Sequence, residues 1–186
     1  MARYLALLCL LAVAAGCADN SARYLIDTPP AASKVRVRVA SVEVLDAKLP
    51  AYAAALEMPL QDDAGALRNL KKTLWADDPV RGVTNALALS LDAATTATVA
   101  AEPWPLQTPA QAVVDLRVER MLADASGGYQ FAGQYAVAAP GGVIRERLER
   151  FDIRIPLAGT DAPSIVAAQG KAIADLAAQI ARTLAR

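Results

Sequence analysis

The segment between Gln111 and Pro156 restricts the fold more than any other part of the chain. Val114, Leu116 and Val118 alternate with Asp115, Arg117 and Glu119, the two-residue period of a half-buried strand. After Ser126-Gly127-Gly128, Tyr129, Phe131, Gly133, Tyr135 and Val137 alternate with Gln130, Ala132, Gln134 and Ala136. After Pro140-Gly141-Gly142 a third run holds Ile144 and Leu148 in one phase and Phe151, Ile153 and Ile155 in the other. That change of phase predicts a bulge near Glu149-Arg150. Three strands in sequence make a meander. Arg145 to Arg150 carries five charges in six residues, the mark of an edge or a solvated face.

Two helices bracket this region. Asp77-Asp78-Pro79 supplies a cap and a first-turn proline, and Val80, Val83, Leu87 and Leu91 then share one face, out to about Ala94. Thr160-Asp161 with Pro163 opens a second helix, Ala162 to Ala185. Its stripe is Ile165, Gln169, Ala172, Ile173, Leu176, Ile180 and Leu184, with Ala beside it. Five further β segments are predicted. Arg23–Asp27 is short. Lys34–Leu45 slips phase at Ala40-Ser41, where a bulge is expected. Leu56–Gln61 and Ala66–Trp75 form a hairpin around Asp62-Asp63-Ala64-Gly65. Thr95–Ala101 leads into Pro103-Trp104-Pro105, a rigid extended turn. The predicted class is α+β: one mixed or antiparallel sheet with two helices packed on one face, in a single domain spanning 23–186. If the strands before and after the first helix are parallel neighbours, that crossover should be right-handed.

The N-terminus carries a different signal. Arg3 precedes an apolar run from Tyr4 to Ala15, then Ala15-Gly16-Cys17. This is the plan of a secretory signal, and it is too short for a bilayer span of about 20 residues. Small-small-Cys after the apolar run resembles the lipobox of bacterial lipoproteins, although Ala14 stands where Leu is common. The reading is a signal peptide at 1–16, acylation of Cys17, and a tether at 17–22. Residues 18–22 reach at most about 17 Å, so the domain is expected to lie close against its membrane.

Composition narrows the function. Lys+Arg and Asp+Glu are 19 each. Only Arg3 leaves with the signal, so the mature chain has 18 against 19 and a net charge of −1. That offers no basic excess for nucleic acid. There is no His, which removes His-dependent triads and His-ligated zinc. Cys9 leaves with the signal and Cys17 carries the lipid, so no thiol metal site or disulfide is expected. Gly170-Lys171 fails as a phosphate loop, because Ile165 stands at the earlier Gly and Ala172 at the Ser/Thr. No cofactor, no metal and no enzymatic activity are expected.

The motifs, taken in order, resemble one family. They are the lipobox, Trp75-Ala76-Asp77-Asp78-Pro79 opening a helix, Pro103-Trp104-Pro105 before a strand, and Ser164-Ile165-Val166-Ala167-Ala168-Gln169-Gly170-Lys171-Ala172-Ile173 in the last helix. The chain is similar to the ABC-type transport auxiliary lipoproteins, of the paraquat-inducible protein C type. Asp77-Asp78 replaces the usual Glu, and Gly170-Lys171 the usual Ser-Arg. The resemblance implies a lipid-anchored periplasmic accessory subunit of an MCE/ABC-type envelope lipid transport system. It would dock the transporter at the outer membrane, help maintain membrane integrity, and have an MCE-domain protein as partner. Ala18, rather than Asp, follows Cys17, which favours the outer membrane over the inner. A homo-oligomer is compatible with this. The alternatives are an outer-membrane assembly lipoprotein and a lipid-anchored hydrolase.

The candidate site residues are few. Cys17 is the lipid attachment site. Trp75 and Trp104 are candidate partner anchors, with core or turn packing as the competing reading. Tyr129, Phe131 and Tyr135 share a strand face and line either a lipid groove or the core beneath a helix.

Overall fold

The computed structural model of the protein describes residues 20–186; Cys17 and the signal segment lie outside the described residues. Among the described residues eight strands form one mixed sheet, and two helices cover one of its faces. The strands are β1 (Ala22–Tyr24), β2 (Ser41–Val44), β3 (Glu57–Gln61), β4 (Leu67–Trp75), β5 (Thr98–Ala101), β6 (Ala112–Asp124), β7 (Gly128–Ala138) and β8 (Arg147–Pro156). The helices are α1 (Pro79–Ala94) and α2 (Ala162–Leu184).

β6 organises the sheet. Its one edge pairs antiparallel with β7 from Val113↔Ala138 to Ala123↔Tyr129, and β7 pairs antiparallel with β8. Its other edge is shared in tandem. β2 pairs parallel with its start (Val42↔Ala112), a single bridge joins Lys48 to Arg117, and β3 pairs parallel with its end (Leu60↔Ala123). β5 extends the sheet beyond β2, and β4 then β1 extend it beyond β3. The strands flanking α1, β4 and β5, are therefore on separate branches and not parallel neighbours.

The meander folds as its alternation predicts, but the bulge lies elsewhere. β7 and β8 keep unbroken register through Glu149 and Arg150. Leu148 simply faces solvent, and Ile144 is buried from the loop before β8. The register shift falls in β6, between Val118 and Arg120. It moves the buried phase from Val114, Leu116 and Val118 to Met121 and Ala123. Gly133 sits opposite: a Cβ there would lie 2.2 Å from the Arg117 carbonyl oxygen.

Lys34–Leu45 departs most from expectation, because only Ser41–Val44 is strand. Val35, Val37 and Val39 are inward-facing in an irregular segment. Its backbone finds partners other than a neighbouring strand. Val35 N–H donates to the Ala94 carbonyl (2.7 Å), Val37 N–H to Thr96 Oγ1 (3.2 Å), and Arg38 N–H to the Leu184 carbonyl (3.3 Å). Ala94 and Leu184 are the last residues of α1 and α2, whose final carbonyls lack intrahelical donors. This segment thus completes both helix ends. β5 is shorter than predicted for a related reason: Thr95 Oγ1 donates to the Leu91 carbonyl and closes α1, so the strand begins at Thr98.

The helices start where the caps predict. Asp78 accepts from Arg81 N–H (3.0 Å) and Asp161 from Ser164 N–H (2.8 Å). Val83, Leu87 and Leu91 of α1, with Ile165, Ile173, Leu176, Ile180 and Leu184 of α2, are fully or almost fully buried.

Candidate functional site

Among the described residues no group of three or more Asp, Glu, His or Cys is placed to hold a metal ion. The features that bear on function are the N-terminal segment, its seat on the helices, and the surfaces left open.

Residues 25–38 run as a strap along the outside of the helix pair. Glycines let it sit close. A Cβ on Gly170 of α2 would lie 1.8 Å from the Asp27 carbonyl oxygen, and one on Gly82 of α1 would lie 2.9 Å from Ile26 Cδ1. Ser90 Oγ donates to Thr28 Oγ1 at 3.0 Å. The strap meets Gly82 and Gly170 first and the C-terminal ends Ala94 and Leu184 last, so it runs the same way as both helices. Gly170, set aside above as a phosphate-loop residue, is a close-approach position instead. Residue order alone gives no sign of this, since the chain crossing it lies far away in sequence.

Two clefts flank the strap. One, about 350 Å³, lies between Pro29–Ser33, the end of α1 and the Lys171–Arg182 side of α2; Lys171 there pairs with Asp175 at 2.9 Å. The other, about 160 Å³, is lined by Tyr24, Leu25, Ile26, Trp75, Gly82 and Leu89 among others. It lies at the end of the strap nearest the tether.

The aromatic candidates divide. Tyr129, Phe131 and Tyr135 share a face and are buried beneath α2. The Tyr129 hydroxyl donates to Gln169 Oε1, and the Tyr135 hydroxyl is hydrogen-bonded to Thr183 Oγ1, both at 2.9 Å. Phe131 meets Phe151 edge-on, with ring centroids 5.0 Å apart. Beside Tyr129 is a void of about 20 Å³, room for about one water, so this face lines no lipid groove. Burial, with a smaller contribution from Tyr52, pushes the Tyr129 hydroxyl well above its ordinary pKa. Trp75 is buried where β4 ends. Trp104 is half-buried; its indole N–H donates to the Thr108 carbonyl (2.8 Å) and its backbone N–H to Glu43 (3.1 Å).

The sheet face away from the helices is charged and open. Asp115 takes Lys48 at 2.7 Å and Arg117 at 2.9 Å, and Arg150 reaches Glu119 at 3.3 Å. Partial burial alone raises a carboxyl's pKa; at Asp115 the bonds from Arg117 and Lys48 outweigh it and hold the group below the usual carboxylate value. Among the described residues no helix is long and apolar enough to cross a membrane.

Comparison with known proteins follows the same lines. A crystal structure of an uncharacterized protein superposes with a TM-score of 0.66 at 16% identity, covering 84% of this chain and 98% of its own. Protein XCC0632 from Xanthomonas campestris superposes with a TM-score of 0.62 at 13% identity, covering 86% and 90%. At such identities the likeness shows the fold alone. No curated protein matches the sequence. The family model of the ABC-type transport auxiliary lipoprotein component matches residues 24–181, from the last residue of β1 through nearly all of α2, and the chain belongs to that family.

Proposed function

We propose that the protein is a lipid-anchored accessory subunit of an MCE/ABC-type envelope lipid transport system, held through Cys17 on the periplasmic face of the outer membrane. The family match over residues 24–181 carries this reading. The family is a transport component rather than an enzyme class, and its lipoprotein character agrees with the small-small-Cys ending at Cys17. The partner is an MCE-domain protein of the same system. Trp104 is the candidate anchor that stays half-exposed, so it is the aromatic assigned to that contact.

The test is affinity purification of the tagged, acylated protein from crosslinked membranes. The expected result is recovery of the MCE-domain protein and its ABC permease, reduced by Trp104→Ala. Recovery of neither would overturn the reading.

A further inference from the structure

Two large apolar side chains on the helical side of the molecule are left in solvent beside each other's groove. Leu25 is 63% exposed and Leu89 is 70% exposed, and both line the cleft of about 160 Å³ with Tyr24, Ile26 and Trp75. The outer stripe of α1 is otherwise Arg81, Asn85 and Ala93, so Leu89 serves neither core nor solubility. The described chain begins just before β1. From Cys17 to Leu25 is eight residues, a reach of about 27 Å when fully extended, and Ala22–Tyr24 of that path is already fixed in the sheet. Acyl chains on Cys17 would therefore hold Ala22, and this corner with it, within about 17 Å of the bilayer.

We propose that the Leu25–Leu89 groove seats on the phospholipid surface that holds the Cys17 acyl chains, fixing how the domain faces away from the membrane. The inference rests on acylation of Cys17. The occupant is a lipid interface on two grounds. The tether length places one there, and the local charges, Arg23 and Arg81 against Asp77 and Asp78, cancel and leave apolar burial as the drive. The charged sheet face is then turned away from the membrane.

The acylated mature chain, from Cys17 to Arg186, provides a clean probe, since Cys9 leaves with the signal, Cys17 is consumed by lipid and a new cysteine is the single free thiol. Leu89→Cys and, as a control on the opposite face, Leu148→Cys are labelled with bimane and placed in phosphatidylcholine vesicles with plain or brominated acyl chains. Bimane at position 89 should lose roughly half its emission in brominated vesicles, as burial at the headgroup–acyl boundary requires. Position 148 should be unchanged, and high salt should not relieve the effect. Leu25→Asp in the Leu89→Cys background should weaken it. Equal emission at both positions, equal loss at both, or shielding of position 89 only when the MCE-domain protein is added would each overturn the proposal. A chain that fails to float with the vesicles overturns the acylation reading itself, and this inference with it. A chain that floats with position 89 unquenched overturns this inference alone.

Discussion

Gly170 lies directly under the carbonyl of Asp27: a Cβ on it would stand 1.8 Å from that oxygen. The obstacle is backbone, so the strap itself must move. Gly170→Ala gains about 1 kcal/mol of helix propensity but forces an overpacked contact costing about 1–3 kcal/mol or more. A net loss of about 1–2 kcal/mol is expected, a fall in Tm of roughly 2–8 °C for a domain of this size. Gly82→Ala is the control. It meets only the end of the Ile26 side chain at 2.9 Å, which can rotate away, and its thermal melt should differ little from the parent.

Tyr129 and Gln169 form a buried pair, so removing one partner should cost more than removing both. Tyr129→Phe leaves Gln169 Oε1 without its donor, a loss of about 1–3 kcal/mol. Tyr129→Phe combined with Gln169→Leu should recover part of it. Denaturant unfolding of the two single variants and the double variant measures the coupling.

Phe131 is fully buried against Phe151. Phe131→Ala should cost about 3–5 kcal/mol. Trp104→Ala should cost much less, because Trp104 sits half-exposed in a loop. Chemical denaturation of both variants checks the order.

Stability should be flat from about pH 5 to 8, since the chain has no His. Asp115, Asp124 and Asp161 have folded-state pKa values below 3.8. Near that value the unfolded chain binds more protons, so stability is present above it and lost as pH falls through the folded values. Tyr129 acts oppositely. Its folded pKa is raised, so its contribution is full below pH 10 and declines as pH rises above it. Tm against pH should drop at both ends, and Tyr129→Phe should soften the alkaline limb.

Features encoded by neighbours in sequence are legible in it. Asp78-Pro79 and Asp161 with Pro163 cap their helices, and the Asp62–Gly65 turn closes the β3–β4 hairpin, with Gly65 at φ +85°. The odd-numbered face of β7 is likewise visible in its alternation. Features set by distant contacts are not. Val35, Val37 and Val39 alternate like a strand, yet they lie where two helix ends, and no strand, are available to bond. The bulge went to β6 because Gly133 in β7 leaves room for the displaced Arg117 carbonyl, while nothing opposite Glu149 does. The tandem pairing of β2 and β3 along β6 follows from long-range assembly. Of the candidate residues, the small-small-Cys ending at Cys17 is legible in the sequence, and it lies outside the described residues. The strap is not legible, because its marks, Gly82 and Gly170, are ordinary helix residues until the crossing chain is known. The alternation puts Tyr129, Phe131 and Tyr135 on one face, and their burial follows only from where α2 lies.

The proposed role depends most on the lipid at Cys17. Mass spectrometry of the N-terminal peptide from the membrane fraction tests it directly. The expected peptide begins at Cys17 and carries the added mass of a diacylglyceryl group, with or without a third acyl chain on its amine. A peptide with Cys17 unmodified, recovered from a soluble fraction, would contradict it.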